Sequence, residues 1–302
     1  MKRFILGFFV FLFFATPSFS QIDGIFYDGE TGISFGAAHY FGDLNTRDAL
    51  NKPKTAFGIF YKKQFDGYVG VKVAGHFAQL AYSDKYNTNN VFAYNRNLSF
   101  NTNIYEFTFQ GDFNFFKYYP SDPRYIFTPY LTFGIGLVAY SPYAYDNPND
   151  NTKYYLRQLG TEGQGWMAVY PPGKVNFQPY KPIAFCFPLG VGVKYSLNPS
   201  VNVFAEVVYR LTDTDFLDDV STTYVDQSTF LNPVAEKFQN RALGLLLIDP
   251  KTGSPLRDAN GNFINSSYGL PGTQRGFSKQ MDKYVIAEVG ISLSIKGYRC
   301  PH

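Results

Sequence analysis

The chain has 302 residues, 45% hydrophobic, 19% aromatic and 17% charged, with 27 Lys and Arg against 24 Asp and Glu for a net charge of +3. That balance excludes an intrinsically disordered protein and a coiled coil. So small a net charge also makes no electrostatic case for a nucleic-acid partner.

The N-terminus carries the marks of export. Lys2 and Arg3 form a short basic region, Phe4 to Phe14 is apolar but too short to span a bilayer, and Ser18-Phe19-Ser20 supplies a small-x-small cleavage pattern. Residues 1–20 are therefore expected to be a signal peptide and 21–302 the mature domain, starting at Gln21. Removing Lys2 and Arg3 lowers the bases from 27 to 25 against 24 acids, leaving +1. Beyond this leader no apolar run approaches the roughly 20 residues of a spanning helix, which excludes a helical membrane protein. A barrel stays open, because alternating strands keep mean hydropathy modest, here −0.19.

Eight segments alternate with a period of two. The first three set Ile33, Phe35 and Ala37, then Phe57, Ile59 and Tyr61, then Val69, Val71 and Val73 against polar or small neighbours that include Ser34, Lys62, Lys72 and His76. In the fourth, Tyr105, Phe107, Phe109, Phe113 and Phe115 alternate with Glu106, Thr108, Gln110, Asp112 and Asn114. Phe127 to Leu137, Ala184 to Tyr195, Asn202 to Leu211 and Val285 to Lys296 continue the rhythm.

Links alternate short and long. Gln64 to Tyr68, Tyr118 to Arg124 and Leu197 to Ser200 are short. The others run to about 15 residues around Asn45, about 15 around Asn90, about 40 from Ser141 to Lys181 and about 70 from Asp213 to Met281, far beyond a usual hairpin loop. Short turns at one rim and long loops at the other are the habit of outer-membrane barrels, whose short turns are periplasmic. The expected fold is all-β: an eight-stranded antiparallel transmembrane barrel, OmpA/OmpW-like and up-and-down, with long extracellular loops and both termini periplasmic. A soluble lipocalin-type barrel would turn the same apolar stripes inward. Against that stand their richness in Phe, their extent in the sixth and eighth strands, and the cluster Phe115, Phe116, Tyr118, Tyr119, Tyr125 and Phe127, placed like an interfacial girdle.

An eight-stranded barrel must be filled by its own side chains. The inward set holds the acids Glu106, Asp112, Glu206 and Glu288 and the bases Lys62, Lys72, Lys194, Arg210 and Lys296. Buried charges persist when paired, so a lumenal ion-pair network is expected, and a protein-conducting pore is not. Chemistry-bearing motifs are weak. Gly134-Ile135-Gly136 and Gly190-Val191-Gly192 lie within strands, and Asp258 to Asn262 reads as a hairpin turn, since no acid stands downstream where a calcium loop needs its bidentate Glu. His76, Ser34 and Glu106 all face inward, but nothing in the sequence puts them at one height, so no catalytic residue, small-molecule substrate, metal or cofactor is expected. Asp213, Asp215, Asp218 and Asp219 form an acidic cluster that reads as a solvated loop base.

Three runs carry a resemblance to a known family: Tyr40-Phe41-Gly42-Asp43-Leu44-Asn45, the stretch from Tyr209-Arg210-Leu211-Thr212-Asp213 through Asp218-Asp219-Val220 to Tyr224, and the terminal Tyr298-Arg299-Cys300-Pro301. Together they resemble the PorG-type outer-membrane proteins of the type IX secretion system. The resemblance implies a non-enzymatic accessory component that contacts outer-membrane lipids and fixes a periplasmic ring, built of a lipoprotein and its partner subunit, to the membrane. The alternative is a freestanding small barrel with a structural or ligand-binding surface role. Cys186 lies about 25 Å from the rim where Cys300 falls, beyond the roughly 7 Å that a disulfide tolerates between Cα atoms. Cys300 is therefore expected to pair with, or pack on, the ring lipoprotein.

Overall fold

In the computed structural model residues 27–45, 50–147, 151–164, 178–230, 232–266 and 268–296 are described. The expected signal peptide and Cys300 lie outside them. Eight long strands form the wall: β1 Tyr27–Phe41, β2 Lys54–Gln64, β3 Val69–Ser83, β4 Ser99–Asn114, β5 Phe127–Tyr140, β6 Ile183–Asn198, β7 Val201–Thr212 and β8 Lys283–Lys296. Each pairs antiparallel with the next, and β1 pairs with β8, so the barrel closes without a free edge. Tyr27 is the register partner of Lys296, which puts the first and last described residues at the short-turn rim. Asx side chains close those turns: Asp66 Oδ1 accepts from the amides of Tyr68 and Val69 at 2.7 Å, and Asn198 Oδ1 from Ser200 and Val201 at 2.9 Å.

The wall is inside-out relative to a soluble protein. Phe35, Phe107 and Val289 are 62%, 62% and 61% exposed on its outer face, while Thr108, Gln110 and Arg210 are fully buried within. Only a hydrocarbon environment makes such an outer face favourable, at about 25 cal/mol for each Å² kept from water. Among the described residues no helix is long and apolar enough to cross a membrane.

Toward the long-loop rim the polarity of the wall inverts. The outward pair Phe77 and Tyr105, with ring centroids 5.4 Å apart, is followed outward by Gln79 opposite Asn103, while the inward side turns to Ala78, Leu80, Tyr82, Phe100 and Ile104, all buried. Above this level the strands enclose an ordinary apolar core. Leu44, Leu98, Leu156, Leu217, Val220 and Phe238 from the long links pack onto it and form a dome over the mouth. Three short helices, Val91–Arg96, Leu156–Leu159 and Pro233–Gln239, build the dome, together with the two-residue strands Tyr143–Ala144 and Tyr154–Tyr155. The turn at Asp258 has its Oδ1 accepting from Asn260 and Asn262, both at 2.9 Å.

Candidate functional site

Two buried polar layers sit on the barrel axis, one in the bore and one in the dome. In the bore, antiparallel register puts Lys62 beside Lys72 on adjacent strands, and each reaches a carboxylate across the lumen: Lys62 meets Asp112 at 2.5 Å and Lys72 meets Glu206 at 3.0 Å. Arg210 forks onto Glu106 at 3.1 and 3.3 Å, and the Tyr284 hydroxyl also donates to Glu106. Tyr130 donates to Glu206 at 2.6 Å. Lys194 departs from the expected carboxylate pairing. Its Nζ has no hydrogen-bond acceptor among the described residues and sits 4.5 Å from the centre of the Tyr118 ring and 5.4 Å from that of Tyr130. Two ring faces thus stand where a hydrogen-bonded carboxylate partner was expected.

His76, Ser34 and Glu106 correct the sequence reading in one respect: they do share a height. His76 Nδ1 is 3.1 Å from Glu106 and its Nε2 is 3.3 Å from Glu288, while Ser34 and His76 both border the empty Cβ position of Gly58. Both ring nitrogens face carboxylates, so neither is placed to take the Ser34 proton as a general base. Filled by these groups, the bore forms an ion-paired plug.

The dome layer corrects the other expectation. Asp213 is exposed and accepts from the Phe185 amide at 2.8 Å, but Asp215, Asp218 and Asp219 are buried, at 4%, 1% and 0% exposure. The apolar residues interleaved among them pull the run inward: Leu217 and Val220 join the mouth core, and Phe216 stacks on Tyr180 at 4.5 Å. Asp219, in the left-handed region at φ 66°, accepts from Thr161 at 2.5 Å and Tyr180 at 2.7 Å. Asp218 and Asp282 share one phenol, with Tyr40 Oη 2.5 Å from the first and 3.0 Å from the second. A phenol has one hydrogen, so one of these two contacts requires a carboxyl proton. The first run of the resemblance thus meets the second directly.

Two guanidiniums tie the dome together. Arg96 forks onto Asp84 at 2.8 Å through both Nε and Nη2 and donates to the carbonyls of Arg275 at 2.6 Å and Asp43 at 2.9 Å. Arg275 donates to Glu162 at 2.8 Å and to the Asp219 carbonyl at 2.6 Å, and Glu162 in turn accepts from the Ser221 amide at 2.8 Å. Seven carboxyls (Asp43, Asp84, Glu162, Asp215, Asp218, Asp219 and Asp282) are buried here against Arg96 and Arg275 as the buried guanidiniums. Burial pushes Asp43 up to about 6, Asp219 to about 7 and Asp215 to about 8, and raises Asp218 and Asp282 well above the usual carboxylate range. With their affinities for protons raised in this way, these carboxyls can hold protons that offset the surplus. Sequence reasoning missed Glu162, Arg275, Asp84, Arg96 and Asp282. They come from three different links, and no local spacing joins them.

The family described as "Domain of unknown function (DUF6089)" matches residues 2–160, more than half of the chain. The chain belongs to that family. No curated protein matches it. Among solved structures it is similar to Ail of Yersinia pestis in complex with the heparin analogue sucrose octasulfate, at 11% identity and a TM-score of 0.36, covering 88% of this chain and 98% of that one. It is similar to Neisserial surface protein A at 9% identity and a TM-score of 0.38, covering 89% and 97%. It is also similar to the N-terminal β-barrel domain of OprF from Pseudomonas aeruginosa at 10% identity and a TM-score of 0.32, covering 88% and 96%. At such values these likenesses add nothing to what the DUF6089 chain's own wall shows: a closed antiparallel barrel, apolar outside and charged within.

Proposed function

We propose that this barrel resides in the outer membrane, with its short turns in the periplasm and its long loops outside, as a non-enzymatic accessory component of type IX protein secretion. In this reading it fixes a periplasmic ring of lipoprotein and partner subunit to the membrane, and the terminal Cys300 bonds to or packs on that lipoprotein. The observation that supports an anchor over a conduit is the double closure of the axis, first by the bore ion pairs and then by the dome. What such a body offers a partner is its lipid-facing belt, its periplasmic rim and its tail. The secretion assignment rests on the resemblance of the Tyr40 to Asn45, Tyr209 to Tyr224 and Tyr298 to Pro301 runs.

Deletion of the gene is expected to block export of type IX cargo while other outer-membrane barrels stay at normal levels. Detergent pull-down of the intact protein is expected to recover the ring subunits, less so from a Cys300→Ser strain. Normal cargo export together with an empty pull-down would remove the secretion role and leave a freestanding barrel with a surface role. The ordered dome is the observation that favours that second reading.

A further inference from the structure

On the solvent side of the dome a cleft of about 380 Å³ opens between the helix Val91–Arg96 and the segment 268–277. Its lining includes three aromatic rings, Phe92, Tyr268 and Phe277, two of them, Phe92 and Phe277, turned largely to water at 62% and 47% exposure. Arg96, Arg275 and Asp43 also line it. Rings left exposed around a polar floor need a reason, since the apolar core of the dome lies just beneath them.

The hydrogen-bond inventory decides what such a floor accepts. Arg96 already gives Nε, Nη1 and Nη2 to Asp84 and two carbonyls, and Arg275 gives Nε and Nη1 to Gln239, Glu162 and Asp219, while its Nη2 stands 3.9 Å from the Asp219 carboxylate. Their charges are met by Asp84 at 2.8 Å, Glu162 at 2.8 Å and, more distantly, Asp219 at 3.9 Å, so neither guanidinium offers an unpaired positive charge to an anion. Asp43 is the opposite case. Its Oδ2 accepts from the Phe277 amide at 2.7 Å, and a carboxylate has about four acceptor positions. Asp43 therefore leaves acceptor capacity for a donor within the aromatic walls of the cleft.

We propose that this cleft binds an organic cation, an ammonium or guanidinium group, through the Asp43 carboxylate and the faces of Phe92, Tyr268 and Phe277. A neutral sugar would use the same rings but not the charge. An anion would meet guanidiniums already paired with carboxylates and the Asp43 carboxylate. The site lies at the opposite end of the barrel from the proposed ring contact, so either can fail without the other.

The test is calorimetric titration of the full-length barrel in zwitterion-free detergent with choline chloride and L-arginine amide, using glucose and glutamate as controls. Saturable binding of one or both cations is expected, with choline preference marking an alkylammonium site and arginine amide preference a guanidinium site. Phe92→Ala and Asp43→Asn should each weaken it by about tenfold or more. Phe92 is exposed, and the side-chain amide introduced by Asp43→Asn keeps an oxygen that can accept from the Phe277 amide, so folding of both variants is checked by heat-modifiable gel mobility. No saturable heat with either cation would overturn the assignment. So would glucose or glutamate binding with comparable affinity, or cation binding unchanged in both folded variants.

Discussion

The dome should loosen as pH rises through neutrality, the reverse of the usual behaviour of carboxylates in folded proteins. Asp219 shows why. Unfolded, it titrates near its ordinary 3.8; folded, burial lifts it to about 7 despite Arg275 nearby. The folded dome thus binds more protons than the open one between these values, and its stability is full below pH 4, falls with rising pH, and levels off above pH 7. Over the whole interval the loss is about 4 kcal/mol for this one group, and from pH 5 to pH 7 about 2 kcal/mol, or roughly fiftyfold in the opening equilibrium. Asp215 and Asp43 act in the same direction. Hydrogen exchange at the amides of Leu217 and Val220, corrected for the intrinsic pH dependence of exchange, reads that equilibrium in the refolded barrel. Asp219→Asn should flatten the profile by up to tenfold per pH unit, because Asn tolerates the left-handed backbone at this position and keeps an acceptor for Tyr180. Protection in the wild-type dome that is constant or grows from pH 5 to pH 8 would refute the account of the buried carboxyls.

Three further outcomes follow from the wall and its mouth. Arg210→Met strands the buried Glu106 with only Tyr284 and His76, and should cost about 3–5 kcal/mol in urea unfolding in detergent, much of it recovered in the double variant with Glu106→Gln. Gly42→Ala places a methyl 2.0 Å from Asp282 Oδ1 and 2.1 Å from Tyr40 Oη, so exchange across 213–282 should rise by the equivalent of about 1–3 kcal/mol while the barrel keeps its gel mobility. Phe107→Lys on the outward face should lower folding stability in lipid bilayers by about 2–4 kcal/mol, whereas a neutral effect would mean that water, not hydrocarbon, meets that face.

What could be read from the sequence follows the number of faces each residue has to satisfy. Along the belt a strand has only two, lipid and lumen, so Phe107, Phe109 and Val289 against Glu106, Gln110 and Glu288 announce both the strand and its orientation. The same rule explains why β3 and β4 are longer than their periodic cores. Beyond His76 and before Tyr105 the apolar residues change sides, with Leu80, Tyr82, Phe100 and Ile104 turned inward, so the two halves of each strand cancel in any single phase. In the dome each side chain answers to several links at once: Tyr40 to Asp218, Arg275 to Glu162, Asn87 to the Leu44 carbonyl. Such contacts leave no period, and the acidic run looks solvated until Leu217 and Val220 are seen to need a core. The phase change itself is nonetheless a measurement. Polarity can invert only where the outer medium changes from hydrocarbon to water, so the step from the pair Phe77 and Tyr105 to the pair Gln79 and Asn103 marks the edge of the membrane on this wall.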